Sequence, residues 1–108
     1  MNASPSEFRT LDQASKLADN YANPYYLQDR KLRVCVARVG ASLYAFDDLC
    51  THEGCPLSSG LLTGIVLMCQ CHGSQFDITT GAVVRGPADR PLATYAVREQ
   101  EGEIQVRI

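Results

Sequence analysis

The segment Cys50-Thr-His-Glu-Gly-Cys55 is followed, after thirteen residues, by Cys69-Gln-Cys-His72-Gly-Ser74. These two segments hold four of the five cysteines and both histidines of the 108-residue chain. A secreted domain stapled by disulfides would spread its cysteines along the sequence. Two tight clusters that mix Cys and His are instead typical of a bound metal centre.

The spacing within the clusters narrows the choice of metal. Cys50-x-His52 and Cys69-x-x-His72 each offer one thiolate and one imidazole. Tetrahedral zinc would accept two sulfurs and two nitrogens, but zinc modules usually pair Cys with Cys and His with His. The mixed order suits a binuclear cluster in which one iron binds both cysteines and the other binds both histidines. We therefore favour an iron–sulfur centre over the alternative, a zinc-stabilised binding module.

Longer stretches around the clusters carry a family resemblance. Residues 50–60 (CTHEGCPLSSG) and 69–81 (CQCHGSQFDITTG) resemble the two cluster-binding boxes of the Rieske iron–sulfur proteins. Residues 85–97 (RGPADRPLATYAV) resemble the proline loop and closing strand of the soluble ferredoxins of that family. The likeness covers about residues 32–108, and it implies one Rieske-type 2Fe–2S cluster per chain.

The resemblance also implies the ligands of that cluster. Carried onto this sequence residue by residue, Cys50 and Cys69 would bind one iron, and His52 and His72 would bind the other. Electrons would enter and leave through the cluster, so the protein would act as a one-electron carrier.

Further positions in the two boxes have implied roles. Cysteines at the places of Cys55 and Cys71 form a disulfide in some members of the family, and we expect it here; free thiols in a reducing cytosol are the alternative. The Ser74 hydroxyl is expected to donate a hydrogen bond to a bridging sulfide and so raise the reduction potential. High-potential members carry a tyrosine where this chain has Phe76, and Gln70 replaces the usual proline. We therefore expect a potential within the window of about −150 to +300 mV but below its upper end.

Short stretches in which apolar and polar residues alternate predict an all-β fold, an antiparallel sandwich or barrel. The alternation begins at Leu32, and turn residues interrupt it roughly every eight to twelve residues. The resemblance adds a small cluster-binding subdomain formed by two loops. We expect a single domain over residues 1–108, with this subdomain at about 47–90. The expected strands and hairpins are residues 32–37, 43–46, 61–68, 76–84, 93–97 and 104–108.

The first thirty residues carry weaker signals. Residues 8–11 predict a short strand, and residues 12–20 have a helix-friendly order with Asp12 as the N-cap. Asn23-Pro24 predicts a turn or loop. The sequence assigns no functional role to residues 1–30.

Four other features are interpreted as scaffold. Gly81 is expected to adopt a backbone conformation that other residues rarely adopt. The loop around Gly86-Pro87 is expected to cover the cluster. Cys35 alternates on a strand and is expected to be a buried packing residue rather than a redox thiol. Arg90 is interpreted as an ordinary solvated charge.

Charge and length exclude several classes of function. Ten basic and twelve acidic residues give a net charge of −2, so no basic field recruits nucleic acid. The longest apolar stretch, residues 61–69, is too short for a membrane span. The first ten residues have neither the basic start nor the apolar core of a secretory signal. We therefore expect a cytoplasmic protein.

The expected function is that of a soluble monomeric carrier between a reductase and an oxygenase or another terminal oxidoreductase. A catalytic Rieske oxygenase needs a mononuclear iron held by two further histidines and a carboxylate. This chain has no third histidine, so it is not expected to be an enzyme. The alternative is a small Rieske subunit of a larger oxidoreductase, of the nitrite reductase, arsenite oxidase or quinol-oxidising type.

Overall fold

The computed structural model describes residues 8–51 and 54–108. In these two ranges the backbone forms ten β-strands and two short 3₁₀ helices, and no α-helix. The prediction of an all-β fold is confirmed. The strands are β1 (Phe8–Gln13), β2 (Tyr21–Leu27), β3 (Leu32–Val39), β4 (Ser42–Asp47), β5 (Leu61–Thr63), β6 (Val66–Met68), β7 (Gln75–Asp77), β8 (Val83–Arg85), β9 (Thr94–Gln100) and β10 (Glu103–Arg107), and the 3₁₀ helices are Ala14–Lys16 and Leu57–Ser59.

The strands form two antiparallel sheets. The larger has the order β1-β10-β9-β4-β3-β2, and the smaller has the order β5-β6-β7-β8. The hairpins expected from the sequence are present in both sheets, including the one over residues 61–68, which pairs Leu61 with Met68 and Thr63 with Val66. No helix of the described residues has the length and apolar character needed to cross a membrane.

Strand β3 is the centre of the fold because both of its faces are buried. Val34 and Val36 point to one side and pack in one cluster with Ile104 and Val106 of β10. In the sheet order, β10 and β3 are separated by β9 and β4. The burial of residues from both strands in one cluster indicates that the larger sheet is strongly curled.

The opposite face of β3 supports a second core, between the larger and the smaller sheet. Cys35 and Ala37 belong to this core and are fully buried, as expected for Cys35. The same core contains Cys50 and Cys69, which lie in loops and not in strands. The two cysteines among the metal-ligand candidates are therefore part of the hydrophobic interior. The remaining buried members of this core are Ala22, Phe46, Leu57, Leu67, Phe76, Ile78, Ala88 and Leu92.

The helix expected over residues 12–20 is wrong. Strand β1 continues through Asp12 because it pairs with β10 as far as Gln13 opposite Glu103. Asp12 is no helix cap: its carboxylate accepts a hydrogen bond from the Tyr25 hydroxyl at 3.1 Å. Only the 3₁₀ turn Ala14–Lys16 follows. Pairing with a strand more than ninety residues away outweighs the local helix propensity, which is a weak preference.

The turn expected at Asn23-Pro24 is also wrong. Both residues lie inside β2, where Pro24 is opposite Cys35 of β3. Strand β2 is the edge of the larger sheet. Proline has no N–H to donate, and an edge strand tolerates it because one side of the strand makes no ladder. The proline therefore marks an edge strand and not a turn.

Gly81 ends the turn between β7 and β8, and the structure confirms that it needs glycine. Its φ is +84°, and a Cβ atom built there would lie 2.3 Å from the carbonyl oxygen of Leu92. The Leu92 N–H also donates a hydrogen bond to the Gly81 carbonyl, at 2.8 Å. The close approach fixes the chain after β8 against the smaller sheet.

Gly81→Ala is expected to lower the free energy of unfolding by more than roughly 3 kcal/mol, because left-handed strain adds to a backbone clash. Gly102→Ala is the matched control. Gly102 has φ +77° but nothing within 4 Å of the added Cβ, so the cost there is about 1–2 kcal/mol. Denaturant unfolding of both variants measures the difference. Equal destabilisation by the two substitutions would contradict the role given to the Leu92 contact.

Candidate metal centre

The first metal-binding candidate lies in a loop of residues 48–56, between β4 and the second 3₁₀ helix. We call it the first loop. The Cys50 N–H donates to the Cys55 carbonyl at 2.8 Å, and the Cys50 carbonyl accepts from the Gly54 N–H at 2.7 Å. Gly54 has a left-handed φ of +75°, which closes this tight turn at little cost because glycine has no Cβ.

The second loop, residues 69–74 between β6 and β7, repeats the pattern. The Cys69 N–H donates to the Ser74 carbonyl at 2.7 Å, and the Cys69 carbonyl accepts from the Gly73 N–H at 3.0 Å. Gly73 has φ +78°. In each loop the cysteine therefore donates to the residue five positions on and accepts from a left-handed glycine four positions on. The two cysteines have equivalent backbone settings.

The two thiols meet in the core. Cys50 is 4% exposed and Cys69 is 1% exposed, and neither takes part in a disulfide. Burial raises the pKa of the Cys69 thiol, and its hydrogen bond with Cys50 raises that pKa further. The backbone N–H groups of Cys71 and His72 point at the Cys69 sulfur and act in the opposite direction.

This donor set fits a bound metal centre. Two adjacent buried thiols oppose each other's ionisation, and a cation between them would hold both as thiolates. Backbone N–H groups directed at a cysteine sulfur, as those of Cys71 and His72 are, are a means by which proteins tune iron–sulfur centres. The arrangement can therefore hold a metal centre through Cys50 and Cys69.

A disulfide joins the two loops beside these thiols. Cys55 of the first loop is bonded to Cys71 of the second, with their Cα atoms 6.5 Å apart. The sulfur of Cys69 lies within 4.8 Å of both disulfide sulfurs. Cys55 and Cys71 are in a bridge and so offer no thiolate to a metal. The expected pairing is present, and the bridge holds the two loops against each other.

One of the two histidine candidates lies in the described part of the chain. His72 is exposed, in the second loop three residues beyond Cys69. His52 lies outside the described residues. The structure thus brings Cys50 and Cys69 together and leaves the ligand role of both histidines as a prediction.

A third loop, residues 86–93, packs on the two cysteine loops. Its Ala88 is buried in the same core as Cys50 and Cys69. The Ala88 N–H donates a 2.9 Å hydrogen bond to the hydroxyl oxygen of Ser74, which is fully buried. Ser74 therefore ties the second loop to the third, and its own hydroxyl hydrogen is left to donate elsewhere.

Arg90 was expected to be an ordinary solvated charge, and that interpretation is wrong in part. The side chain is exposed, but its Nη2 donates to the Thr51 carbonyl at 3.1 Å. In return, the Thr51 hydroxyl donates to the Arg90 carbonyl at 2.6 Å. This reciprocal pair joins the third loop to the first, next to His52 in the sequence.

Sequence reasoning missed Asp48. Two polar side chains are fully buried in the part of the chain that the structure describes, namely Asp48 and Ser74. The Asp48 carboxylate accepts hydrogen bonds from Arg33 and from Ser58. The available signal was its position. Asp48 directly follows Asp47, the last residue of β4, and lies two residues before Cys50.

The fold and the site define a class. A curled all-β scaffold presents paired buried thiols on two disulfide-linked loops, each with a histidine close by in sequence, which is the arrangement of a protein that holds a metal cluster for electron transfer. Residues 7–96 match the family model of the Rieske [2Fe-2S] domain. The chain belongs to this family, and its cofactor is a 2Fe–2S cluster.

Two known proteins similar to the chain are ferredoxins by name. Ferredoxin CarAc of Metapseudomonas resinovorans is 41% identical over 73 residues, which make up 68% of each chain. The ferredoxin component of the 2,4-dinitrotoluene dioxygenase system of Burkholderia sp. (strain RASC) is 30% identical over 81 residues, 75% of this chain and 78% of that protein.

The fold is shared with a solved structure. A chain in the complex of reduced oxygenase and oxidized ferredoxin in carbazole 1,9a-dioxygenase superposes with a TM-score of 0.87 and 31% identity, over 94% of both chains. The relatives are ferredoxins by name. This protein is accordingly an electron carrier and not itself an enzyme.

Replacing both Cys55 and Cys71 by Ser is expected to lower the free energy of unfolding by about 3 kcal/mol, because the bridge closes a loop between residues 16 apart and restricts the unfolded chain. Unfolding is measured with and without a phosphine reductant. The reductant should destabilise the unsubstituted protein and leave the double variant unchanged. A reductant effect of the same size on both proteins would contradict this contribution of the bridge.

Proposed function

We propose that the chain carries single electrons from a reductase to an oxygenase, or to another terminal oxidoreductase, through a 2Fe–2S cluster held by Cys50, Cys69, His52 and His72. The single observation that carries this proposal is the meeting of Cys50 and Cys69. Two buried thiols from separate loops belong to one core, where Cys50 acts on the pKa of Cys69, in a family whose cofactor is a 2Fe–2S cluster.

When bound, the cluster accepts and releases one electron. The residues of the chain bind the cluster, exclude water from one side of it and leave the other side near the surface. Cys50 and Cys69 provide thiolates from the core side, where the packing of Leu57, Ala88 and Leu92 excludes water. His72 is on the exposed side, which favours electron exchange at the surface formed by the loops.

The Ser74 hydroxyl is proposed to tune the cluster. Its oxygen already accepts from Ala88, so its remaining hydrogen is free of that bond and can donate to a sulfide. A hydrogen bond to a cluster sulfur stabilises the reduced form and raises the potential. Phe76, which is fully buried in β7, adds no hydroxyl of its own. The potential is proposed to lie below the upper end of the Rieske range.

The oxygenase as electron acceptor is supported by the relatives. The 2,4-dinitrotoluene dioxygenase relative is a ferredoxin component of its system, and the carbazole 1,9a-dioxygenase structure is a complex of oxygenase and ferredoxin. We also propose a monomer that works in the cytoplasm, with a cluster-binding subdomain at about residues 47–90. The packing of all three loops on one core supports that subdomain.

One observation favours the second candidate, a small Rieske subunit of a larger oxidoreductase. The Cys55–Cys71 disulfide is more typical of oxidising compartments than of the cytoplasm. Size-exclusion chromatography of the native protein separates the two candidates. A free 11.8 kDa carrier supports the first, and elution within a large complex supports the second.

The proposed ligands and acceptor are tested together. The purified protein should contain iron and acid-labile sulfide, and after reduction with dithionite it should pass an electron anaerobically to the oxygenase of carbazole 1,9a-dioxygenase. Cys69→Ser and His72→Ala should lose iron, sulfide and visible absorbance. Cys35→Ala is the control, because Cys35 is equally buried but is given no ligand role, and it should retain both cluster and transfer.

Two results would contradict the proposal. Zinc without sulfide would revive the zinc-stabilised module. An intact cluster that is never oxidised by the oxygenase would reject this class of acceptor.

Ser74→Ala is expected to lower the midpoint potential, because one hydrogen bond to a cluster sulfide is lost. Redox titration measures the midpoint. Ser59→Ala, at an exposed serine in the second 3₁₀ helix, is the control and should leave it unchanged. A midpoint that stays the same in Ser74→Ala would remove the tuning role.

A further inference from the structure

We propose that Asp48 is a positioning residue that closes the first loop at its base, holds Cys50 in place and sets part of the cluster's potential. This proposal rests on the ligand role proposed for Cys50. Its evidence is a difference between the two cysteine loops and the contacts of one buried carboxylate.

The two loops are supported differently. The second loop joins β6 to β7, and these strands pair directly at its base, where Met68 lies opposite Gln75. The first loop joins β4 to the 3₁₀ helix Leu57–Ser59. Strand β4 pairs with β3 and β9 instead. The first loop therefore has the same tight turn around its cysteine but no strand ladder to hold its two ends together.

Asp48 and Ser58 supply the missing closure. Asp48 is the first residue of the loop, and Ser58 lies just beyond its end. Oδ1 of Asp48 accepts the Ser58 N–H at 2.6 Å, and Oδ2 accepts the Ser58 hydroxyl at 2.8 Å. Hydrogen bonds to an ionised carboxylate are stronger than those between neutral groups. Two of them thus join the ends of the first loop, as the β6–β7 ladder joins those of the second.

Arg33 anchors this closure to the central strand. Its Nε donates to Oδ2 of Asp48 at 2.6 Å, and its carbonyl accepts the Asp48 N–H at 2.9 Å. Asp48 is fully buried, whereas the Arg33 side chain is 43% exposed. With Ser58 included, the carboxylate has a partner for each of its oxygens and is fixed to β3.

A fixed buried carboxylate also acts through its charge. Burial is the main cause that raises the pKa of the Cys35 thiol in the same core as Cys50, and the nearby Asp48 carboxylate raises it further. Asp48 is also fully buried and lies two residues before Cys50 in the chain, so its charge is close to the position of that candidate ligand. An added electron would meet the same repulsion, so Asp48 should lower the midpoint potential, and Arg33 should oppose it.

Hydrogen–deuterium exchange tests the positioning role on the cluster-loaded protein. Asp48→Asn keeps the size of the side chain but removes a charged acceptor. Exchange in peptides that cover the first loop should rise roughly 10-fold, since hydrogen bonds to a charged group are lost. The second loop, with its own ladder, is the internal control and should exchange as before. Asp29→Asn, in the exposed ion pair of Arg9 and Asp29, is the control variant.

The charge is tested by redox titration of the same proteins. Asp48→Asn should raise the midpoint, and Arg33→Gln should lower it while both Ser58 bonds remain. Ser58→Ala removes one hydrogen bond and no charge, so it should speed first-loop exchange without moving the midpoint. These two milder variants keep the test open if Asp48→Asn does not fold.

The outcomes separate this proposal from the proposed function. First-loop exchange that matches the Asp29→Asn control in both Asp48→Asn and Ser58→Ala would overturn the positioning role, as would equal increases in the two loops. Midpoints of Asp48→Asn and Arg33→Gln that move in the same direction, or not at all, would overturn the charge effect. Failure of Cys50 as a ligand would show instead as a cluster that is retained in Cys50→Ser.

Discussion

The contact between two buried thiols, Cys50 and Cys69, is the constraint on which the rest of the structure depends. Each thiol sits in a loop that turns on a left-handed glycine, and each loop must reach the same point in the core from a different sheet. Burial and the neighbouring Cys50 both raise the pKa of the Cys69 thiol. The fold therefore places two cysteines of separate loops in one core, where both could bind the same cluster.

Several different interactions hold the loops around these two cysteines in place. The disulfide of Cys55 and Cys71 joins the first and second loops, and Thr51 and Arg90 join the first loop to the third by a reciprocal pair of hydrogen bonds. Both fully buried polar side chains of the described ranges, Asp48 and Ser74, serve these same loops. Buried polar groups are costly unless they are paired, and here Asp48 is paired with Arg33 and Ser58 and Ser74 with Ala88.

Much of the site could be predicted from the sequence because ligand spacing is local. The family resemblance grouped Cys50 with Cys69, which share one core, and paired Cys55 with Cys71, which form the disulfide; the strands from Leu32 onward followed from alternation. In the first thirty residues only the strand expected at residues 8–11 is confirmed, as part of β1. The helix-friendly order after Asp12 is overruled by β10, and Pro24 is accommodated at a sheet edge. Asp48 was missed because its partners, Arg33 and Ser58, are distant in sequence.

The most direct test of the central claim is pulsed electron paramagnetic resonance of the reduced protein, prepared with and without nitrogen-15 in its histidines. If Cys50, Cys69, His52 and His72 hold the cluster, the spectrum should show strong couplings from two histidine nitrogens. Labelling the histidines should replace the nitrogen-14 signals by nitrogen-15 signals. A spectrum without histidine couplings, or one unaffected by the label, would contradict the account.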